Sequence, residues 1–326
     1  YKKLDEKNKE DREIIKIQEE IKKVLHQIAN CNKEDYELLL DWLGYNLTGY
    51  TDEQKFMIWI GALASNGKTT SAEMFEMAFP IYSMKLNNST FNVNNQKSHK
   101  QFCELRGRPI RFTRIEELDQ VKQDMAKIKD FVSGRDLITE VMYANMAKIT
   151  LQAKLNLISN EAVIFKPDRG AMRRGCMLEF GNIFMEERDF NKLPKNRQND
   201  GRRFIKNKKL LSNFNNDNYK LAFALLIMER ASKYVNKGLN IPVKFEDNFL
   251  ELCGENDTMK SFINEYFIIT EDEKDKIHKE EFTRLYNAVN KTKFQWSQLM
   301  SQVKRHLKYS STVSKGNKPV SYTHLR

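Results

Sequence analysis

Residues 61–70, GALASNGKTT, have the composition of a loop that holds the phosphates of a nucleotide. In such a loop, successive backbone N–H groups surround the phosphates at the start of a helix, a lysine reaches the terminal phosphates and a hydroxyl holds Mg²⁺. Lys68 and Thr69 supply that lysine and that hydroxyl, directly after Gly67. The residues expected to contact ATP are Gly61, Ala62, Leu63, Ala64, Ser65, Asn66, Gly67, Lys68, Thr69 and Thr70.

The first half of this loop departs from the usual G-x-x-x-x-G-K spacing, which puts glycine where this chain has Ala62. The glycine stands one position earlier, at Gly61. Either the loop carries one extra residue, or Ala62 adopts a backbone conformation with negative φ that alanine tolerates. The flanking sequence favours a phosphate site in both cases, because KFMIWIGA suits a buried strand and TTSAEMFEMAF has helical composition.

Two adjacent acids, Glu116 and Glu117, follow the apolar run PIRFTRI. ATP hydrolysis requires carboxylates at the end of a neighbouring strand, one in the Mg²⁺ shell and one that orients the attacking water. We expect Glu116, with Thr69, to hold Mg²⁺ and Glu117 to orient the water, and the reverse assignment of the two acids stays open.

Three further polar residues are candidates for catalysis. Asn160 ends another apolar run, KLNLISN, from which an amide could bond the attacking water or the γ-phosphate, or simply form a turn. Arg173 and Arg174 lie in PDRGAMRRGCMLEF. Either could be an arginine finger that neutralises the charge developing in phosphoryl transfer, and both could equally be solvated surface groups.

The elements that must position these residues begin with a helix over 13–28, whose apolar side chains recur every three or four positions. That stripe, which must pack on something, consists of Ile14, Ile17, Ile21, Val24 and Ile28. A second helix is expected up to Gly49, and the continuous apolar runs predict strands of a parallel sheet. The sequence DLITEVMYANMAKITL predicts two strands around a turn near residues 144–147.

The second half of the chain has a different texture. From about residue 181 it becomes polar and rich in Asn and Lys, which suggests a subdomain edge there. Helices are expected near 258–267, 279–290 and 296–308, an arrangement compatible with a winged-helix unit or a plain helical lid. The closing VSYTHLR receives no role.

Composition narrows the class of protein. The formal charge of +11 favours a polyanionic partner such as nucleic acid, although a merely soluble basic protein has the same balance. No run of 18 apolar residues and no signal peptide is present, so we expect an intracellular protein without a membrane partner. Four scattered cysteines argue against a disulfide frame or structural zinc and are expected to be buried thiols. The chain starts at Tyr1 rather than Met, which favours a piece of a longer protein.

The ordered motifs SNGKTT, IEELD, IKDFVSGRDLIT, LISNE and DRGAMRR resemble those of superfamily 3 helicases, specifically the primase-helicase type of large DNA viruses and phages. The resemblance runs from about residue 36 to 180 and continues weakly to about 310. It implies an α/β fold with a P-loop NTPase core and a mainly parallel sheet, an N-terminal helical collar and a C-terminal, mostly helical, winged-helix-like subdomain. The corresponding boundaries are 1–52 for the collar, 53–185 for the core, 186–254 for a lid or basic connecting subdomain and 255–326 for the C-terminal unit.

The same resemblance assigns roles. It implies a hexameric ring around single-stranded DNA, movement in the 3′ to 5′ direction, an upstream primase domain and a site of action in virus-infected cells. Lys68 and Thr69 match the Walker A lysine and hydroxyl, Glu116 and Glu117 the Walker B acids, and Asn160 the sensor, while Arg173 or Arg174 would reach the neighbour's ATP. The hairpin of 137–151 matches the DNA-tracking element, with Asn145 and Lys148 as DNA contacts. Val141 departs from the family, where a basic residue often stands.

Two functions of different classes follow. The first is an ATP-dependent helicase or translocase on single-stranded DNA, with ATP and Mg²⁺ bound between subunits. The alternative is a DNA-binding oligomer that holds ATP without productive unwinding, which the irregular loop and the basic stretch 188–209 favour. A small-molecule kinase is disfavoured, because no acceptor-site motif accompanies the loop.

Overall fold

The computed structural model forms two compact units, Tyr1–Phe249 and Leu250–Arg326. The residues that it describes are 9–61, 64–95, 102, 104–117, 122–134, 136–139, 147–160, 163, 165–166, 172–253, 262–263, 265–269, 277–290, 295–296, 299, 303, 319–320 and 323–325. In this described part of the chain, no helix has both the length and the apolar character needed to cross a membrane.

A five-stranded, fully parallel sheet forms the centre of the first unit, in the order β2-β3-β7-β1-β9. Its strands are β1 (Phe56–Ile60), β2 (Ser83–Lys85), β3 (Phe112–Glu116), β7 (Lys154–Ser159) and β9 (Gly175–Glu179). All six residues of β7 are buried, as expected for a strand covered on both faces. The expected α/β fold with a parallel sheet is therefore confirmed, and β2 and β9 join the three strands that the apolar runs predict.

Short strand pairs flank this sheet. Backbone hydrogen bonds join the two strands of each pair. The antiparallel pair of β5 and β6 forms the hairpin that the sequence predicts. The strands are β4 (Gln123–Asp124) with β8 (Phe165–Lys166), β5 (Asp136–Thr139) with β6 (Ala147–Thr150), and β10 (Ile183–Met185) with β11 (Arg203–Ile205).

Helices cover the sheet of the first unit. They are α1 (Lys9–Ile28), α2 (Lys33–Leu47), α3 (Lys68–Ala78), α4 (Met125–Val132), α5 (Glu187–Asn191), α6 (Lys195–Gln198), α7 (Leu210–Asn213) and α8 (Asp217–Lys237), and α9 (Val243–Leu252) begins in this unit and ends in the second. Helices α1, α2 and α8 pack on one another and share one apolar core with β1 and α3. The stripe of α1 differs from the expected one at one position, since Leu25 is fully buried and Val24 only partly.

A buried polar network fixes α2 on the sheet. The indole Nε1 of Trp42 donates to Asn156 Oδ1 at 2.6 Å, and Asn156 Nδ2 donates to Asn46 Oδ1 and to the Thr113 carbonyl, both at 3.0 Å. All four side chains are buried. Because buried polar groups are costly when unpaired, this network specifies one position of α2 over β7.

The second unit has its own aromatic core, and Phe267 stacks on Phe282 with ring centroids 5.4 Å apart. Helix α10 (Lys279–Asn290) confirms one expected helix. The helix expected over 258–267 does not reach its end, because Phe267 pairs with Leu325 in a strand. The strands are β12 (Phe267–Ile269) with β15 (Thr323–Leu325), and β13 (Ile277–His278) with β14 (Pro319–Val320).

The cysteines differ from expectation. Cys176 is buried, but Cys31 is exposed and Cys253 is half-buried. Cys31 lies in the turn after α1 with φ of 53°, where the chain leaves the helix at the surface. Cys103 lies outside the described residues.

Candidate nucleotide site

The loop between β1 and α3 has the shape that a phosphate loop requires. Gly67 caps the start of α3 with φ of 88°, a left-handed conformation that favours glycine. A Cβ at Gly67 would also lie 2.5 Å from Ile28 of α1. Ser65 has φ of 62°, so the chain turns sharply just before the helix. The backbone N–H groups at the start of α3 thereby lie at a helix N-terminus, where the Lys68 N–H donates to Asn66 Oδ1 at 3.5 Å.

The close packing around Gly61 explains why the glycine of the loop stands one position earlier than usual. A Cβ at this position would lie 2.2 Å from Asn66 Nδ2 and 2.6 Å from the Phe180 carbonyl. Glycine is therefore required at residue 61 by the close approach of its neighbours, one position before the usual one. Ala62 and Leu63 lie outside the described residues, whereas Ala64 is exposed beside Ser65.

Lys68 is folded into this loop. Its Nζ donates to the Gly61 carbonyl at 3.1 Å and to Asn160 Oδ1 at 2.9 Å. The residue is only 3% exposed, and this burial lowers the pKa of its ammonium to about 8. The lysine is thus held beside the loop by two uncharged acceptors, without a carboxylate among these partners.

The two acids lie at the end of β3. The Glu116 carboxylate pairs with Lys85 Nζ at 2.7 Å and with Arg114 Nη1 at 2.5 Å, and the Thr69 hydroxyl is near enough to help lower its pKa. Burial raises the pKa of Glu116, but the hydrogen bond from Lys85 and the charge of Arg114 lower it more, so the net pKa lies below the ordinary value. Glu117 is exposed and has φ of 51°.

A polar cavity of about 520 Å³ opens beside these acids. Its polar lining consists of Lys85, Asn87, Asn88, Glu104, Glu116 and Glu117. Among the described residues, no three His, Cys, Asp or Glu side chains form a ready-made metal cluster. A single carboxylate with a neighbouring hydroxyl still fits Mg²⁺, which is usually held by one or two carboxylates together with phosphate oxygens and water.

The topology explains why these groups meet. Strand β1 leads into the loop, its neighbour β7 leads to Asn160, and the next strand β3 ends at Glu116. Since the three strands are parallel, their carboxyl ends lie at one edge of the sheet. Lys68, Thr69, Glu116 and Asn160 are therefore brought together, as the sequence predicts for a nucleotide site.

Arg173 and Arg174 lie elsewhere. They immediately precede β9, at the amino edge of the sheet and therefore away from the loop of the same chain. Arg174 Nη2 donates to Gln54 Oε1 at 2.7 Å, whereas the Arg173 side chain is exposed. The Arg173 carbonyl accepts a hydrogen bond from Lys55 Nζ at 2.7 Å. Of the two, Arg173 is the guanidinium that a second molecule could contact.

The predicted DNA contacts are only partly described. The strands of the hairpin pair from Asp136↔Thr150 to Thr139↔Ala147, and Lys148 lies opposite Ile138. Asn145 and Val141 lie outside the described residues. The hairpin ends four residues before β7, so its base is at the amino edge of the sheet.

The sequence analysis singled out neither Lys85 nor Arg114. Both are partners of Glu116, and Arg114 Nε also pairs with Glu76 at 2.6 Å. A charged residue in the middle of an apolar strand was the available signal, because such a residue is rarely buried without a partner. Lys85 carried no comparable signal in the sequence.

The fold and this arrangement define an α/β protein with a phosphate-loop-type core. No protein-family model and no curated protein matches the chain. Similar solved structures include the A-form apo structure of the NrS-1 C-terminal region, with TM-score 0.47, 10% identity and coverage of 94% of this chain and 75% of that chain. A further apo structure of that region has TM-score 0.44, 11% identity and coverage of 94% and 74%. A JCV helicase with a bound acetamide compound has TM-score 0.26, 11% identity and coverage of 78% and 71%.

Proposed function

We propose that this chain is an ATP-dependent helicase or translocase that moves along single-stranded DNA in replication of the viral or phage type. The observation that carries the proposal is the hydrogen bond from Lys68 Nζ to Asn160 Oδ1 at 2.9 Å, with Thr69 at the start of α3 and Glu116 at the end of β3 close to each other. These contacts join a loop lysine, a hydroxyl, an acid and an amide from three neighbouring strand ends. Hydrolysis of a triphosphate needs this set of groups at one place.

Each residue has a distinct role in the proposed reaction. Amides at the start of α3 and the Lys68 ammonium bind the β- and γ-phosphates, and Thr69 and Glu116 hold Mg²⁺. When bound, Mg²⁺ supplies Lewis-acid stabilisation of the charge on the phosphate oxygens. Glu117 orients the attacking water from its exposed position beside the cavity. Asn160 leaves Lys68 and bonds the water or the γ-phosphate.

Single-stranded DNA is the proposed partner of the β5–β6 hairpin, with Asn145 and Lys148 as contacts. The formal charge of +11 supports a polyanionic partner. The chain runs from this hairpin directly into β7, and β7 ends at the residue before Asn160. A rigid, fully buried strand thus connects the DNA-contacting element to the nucleotide site.

Completion of the site requires a second copy of the chain, for which we propose a hexamer. The support is the location of Arg173 and Arg174 at the edge of the sheet away from their own loop. A mixing experiment tests this arrangement. The Arg173→Ala and Lys68→Ala proteins are each expected to be inactive alone and to regain ATP turnover when they are mixed with each other. A mixture of Arg174→Ala with Lys68→Ala is the matched comparison. Absence of recovery in both mixtures contradicts a shared site.

The central test compares ATP turnover with and without single-stranded DNA for the wild type, Lys68→Ala and the surface control Lys23→Ala. We expect single-stranded DNA to stimulate ATP turnover in the wild type and in Lys23→Ala. We expect no ATP turnover in Lys68→Ala. Equal ATP turnover in all three proteins would contradict the proposed ATP-dependent translocase. The mass of the protein in solution, measured with an ATP analogue and DNA present, then tests the hexamer.

A second candidate is an oligomer that binds ATP and DNA without productive hydrolysis. The observation that favours it is the ion pairing of Glu116 with Lys85 and Arg114, since two cations then compete with Mg²⁺ for one carboxylate. Strand displacement on a tailed duplex separates the two candidates. The motor opens the duplex with ATP, whereas the non-hydrolysing oligomer binds it in a salt-sensitive manner and leaves it paired.

A further inference from the structure

A second cavity borders the phosphate loop and shares no lining residue with the acidic cavity beside Glu116. It has a volume of about 310 Å³ and touches Ser65, Gly67 and Thr70 of the loop and α3. We call it the base-side cavity. Its other walls come from α1, from β10 and from the segment 205–211.

The walls of the base-side cavity are mainly apolar, with Val24, Ile28, Phe184, Ile205 and Leu211 among them. Ile205 is 46% exposed, and it is one of the few large apolar side chains on the surface of the described residues. Amide and ammonium groups at the rim come from Gln27, Asn207, Lys206 and Lys208. Apolar walls with a few polar groups are typical of sites that bind a flat heterocycle.

The walls are fixed to the loop itself. The Phe184 N–H donates to the Ser65 carbonyl at 2.8 Å, which fastens β10 to the loop. Helix α1 approaches so closely that Ile28 leaves no room for a Cβ at Gly67. The side chain of Asn182 donates to the Gln27 carbonyl at 2.7 Å, which ties the end of α1 to the chain just before β10. The cavity is therefore a built feature of the loop's surroundings.

We propose that the base-side cavity holds the base and ribose of the nucleotide, so that helix α1 forms one wall of the nucleotide site. This inference rests on the proposed function, in which the phosphates bind at the start of α3. A nucleoside is joined to those phosphates covalently, and it must lie in space that borders the loop. The acidic cavity is lined by carboxylates that would hold Mg²⁺, which leaves the base-side cavity for the apolar, uncharged part of the ligand.

Helix α1 lies in the segment that the sequence analysis predicts to be a collar separate from the ATPase core. In this proposal helix α1, while part of the predicted collar, also contributes directly to nucleotide affinity through Val24 and Ile28. Because the contacts are mainly apolar, the cavity recognises a base by contact area more than by hydrogen-bond pattern. ATP and GTP are therefore expected to bind within a few fold of each other, and both more tightly than inorganic tripolyphosphate.

The experiment measures binding of ATP and of inorganic tripolyphosphate, each with Mg²⁺, to the full chain by calorimetry. The variants are Ile205→Asn and Val24→Asn, which place a neutral polar group in the apolar wall and leave the phosphate loop intact. Ile81→Asn is the matched control, since Ile81 is 64% exposed and does not line the cavity. Circular dichroism checks that each variant is folded.

Both cavity variants are expected to weaken ATP binding by roughly fivefold to tenfold, the loss that follows when one aliphatic contact is removed. Tripolyphosphate binding is expected to stay unchanged, as is ATP binding to Ile81→Asn. Equal affinities of the wild type for ATP and tripolyphosphate, with no effect of either variant, would overturn the base-side assignment and leave the phosphate site standing. Failure of both ligands to bind, or binding to Lys68→Ala that equals the wild type, would overturn the proposed function and this inference together.

Discussion

The buried ammonium of Lys154 predicts that stability of the first unit rises with pH. Lys154 begins β7 and is 2% exposed. Its Nζ donates to the carbonyl of Thr48, at the end of α2, and to that of Gln152 at 3.1 Å. Burial, and to a smaller extent the charge of Arg111, lower the pKa of Lys154 from 10.5 to about 7.

The sign of the effect follows from proton counting. Between pH 7 and 10.5 the unfolded chain keeps the proton on Lys154 while the folded chain has begun to lose it, so the unfolded state binds more protons. The free energy of unfolding therefore rises with pH across this window and gains nothing further from this group above it. For these two pKa values, the gain between pH 7 and pH 9 is about 2 kcal/mol.

Replacement of Lys154 by Met removes the ammonium and keeps a side chain of similar length. The difference in unfolding free energy, wild type minus Lys154→Met, is expected to grow by about 2 kcal/mol from pH 7 to pH 9. Urea unfolding at pH 7, 8 and 9, followed by fluorescence of the buried Trp42 and Trp59, measures it. The thiol of Cys176, whose pKa burial raises to about 12, is present in both proteins and cancels in the difference.

Lys127→Met is the matched control. It also removes an ammonium that donates to two carbonyls, those of Asn92 at 3.1 Å and Asn95 at 2.7 Å, but from a half-exposed side chain. A wild-type-minus-variant difference for Lys154→Met that stays flat over this pH range would refute the reasoning. So would an equal slope in both variants, because the effect could then not come from deep burial.

Three more substitutions test the site and its support. Gly67→Ala is expected to destabilise the protein by about 2 kcal/mol or more and to weaken ATP binding, because φ is 88° and the new Cβ lies 2.5 Å from Ile28. An unchanged melting temperature would contradict this. Asn156→Leu is expected to lower the free energy of unfolding by about 3 to 5 kcal/mol in urea titrations, since three buried hydrogen bonds are lost, and a loss under 1 kcal/mol would be evidence against the network. Lys85→Met removes a competing cation from Glu116, so half-maximal ATP turnover should need at least about twofold less Mg²⁺, and a higher requirement would contradict competition.

Local pattern was sufficient for the central strands of the fold. Strands β1, β3 and β7 carry apolar runs that are buried on both faces, and such runs are readable from sequence. Strand β2 reads Ser-Met-Lys and has no such run, and β9 directly follows two arginines. Both are strands because a neighbour supplies the hydrogen bonds, through Ser83↔Phe112 and Phe56↔Gly175. Pairing of this kind depends on the whole sheet and has no local signal.

Some residues of the candidate site could likewise be predicted from the sequence, and others could not. The proximity of Lys68, Thr69, Glu116 and Asn160 was predictable, because each stands at the end of a strand or the start of a helix at one edge of a parallel sheet, and their roles toward a nucleotide stay a prediction. The partners of Glu116 were not readable, because Lys85 comes from a strand that only pairing defines. The apolar walls beside the loop were hidden for another reason. Their residues come from segments more than 150 positions apart in the sequence, such as Val24 and Leu211.

Strand β7 connects three parts of the first unit through polar side chains. Lys154 bonds the end of α2, Asn156 bonds Trp42 within α2, and the residue after the strand, Asn160, bonds Lys68. Apolar contacts along a buried strand would allow small sliding motions, whereas directed hydrogen bonds at both ends do not. A ligand that draws Asn160 away from Lys68 therefore acts on a strand already anchored at its other end. The β5–β6 hairpin ends four residues before that anchored end, so the hairpin and Asn160 lie at opposite ends of one strand that polar side chains hold in place.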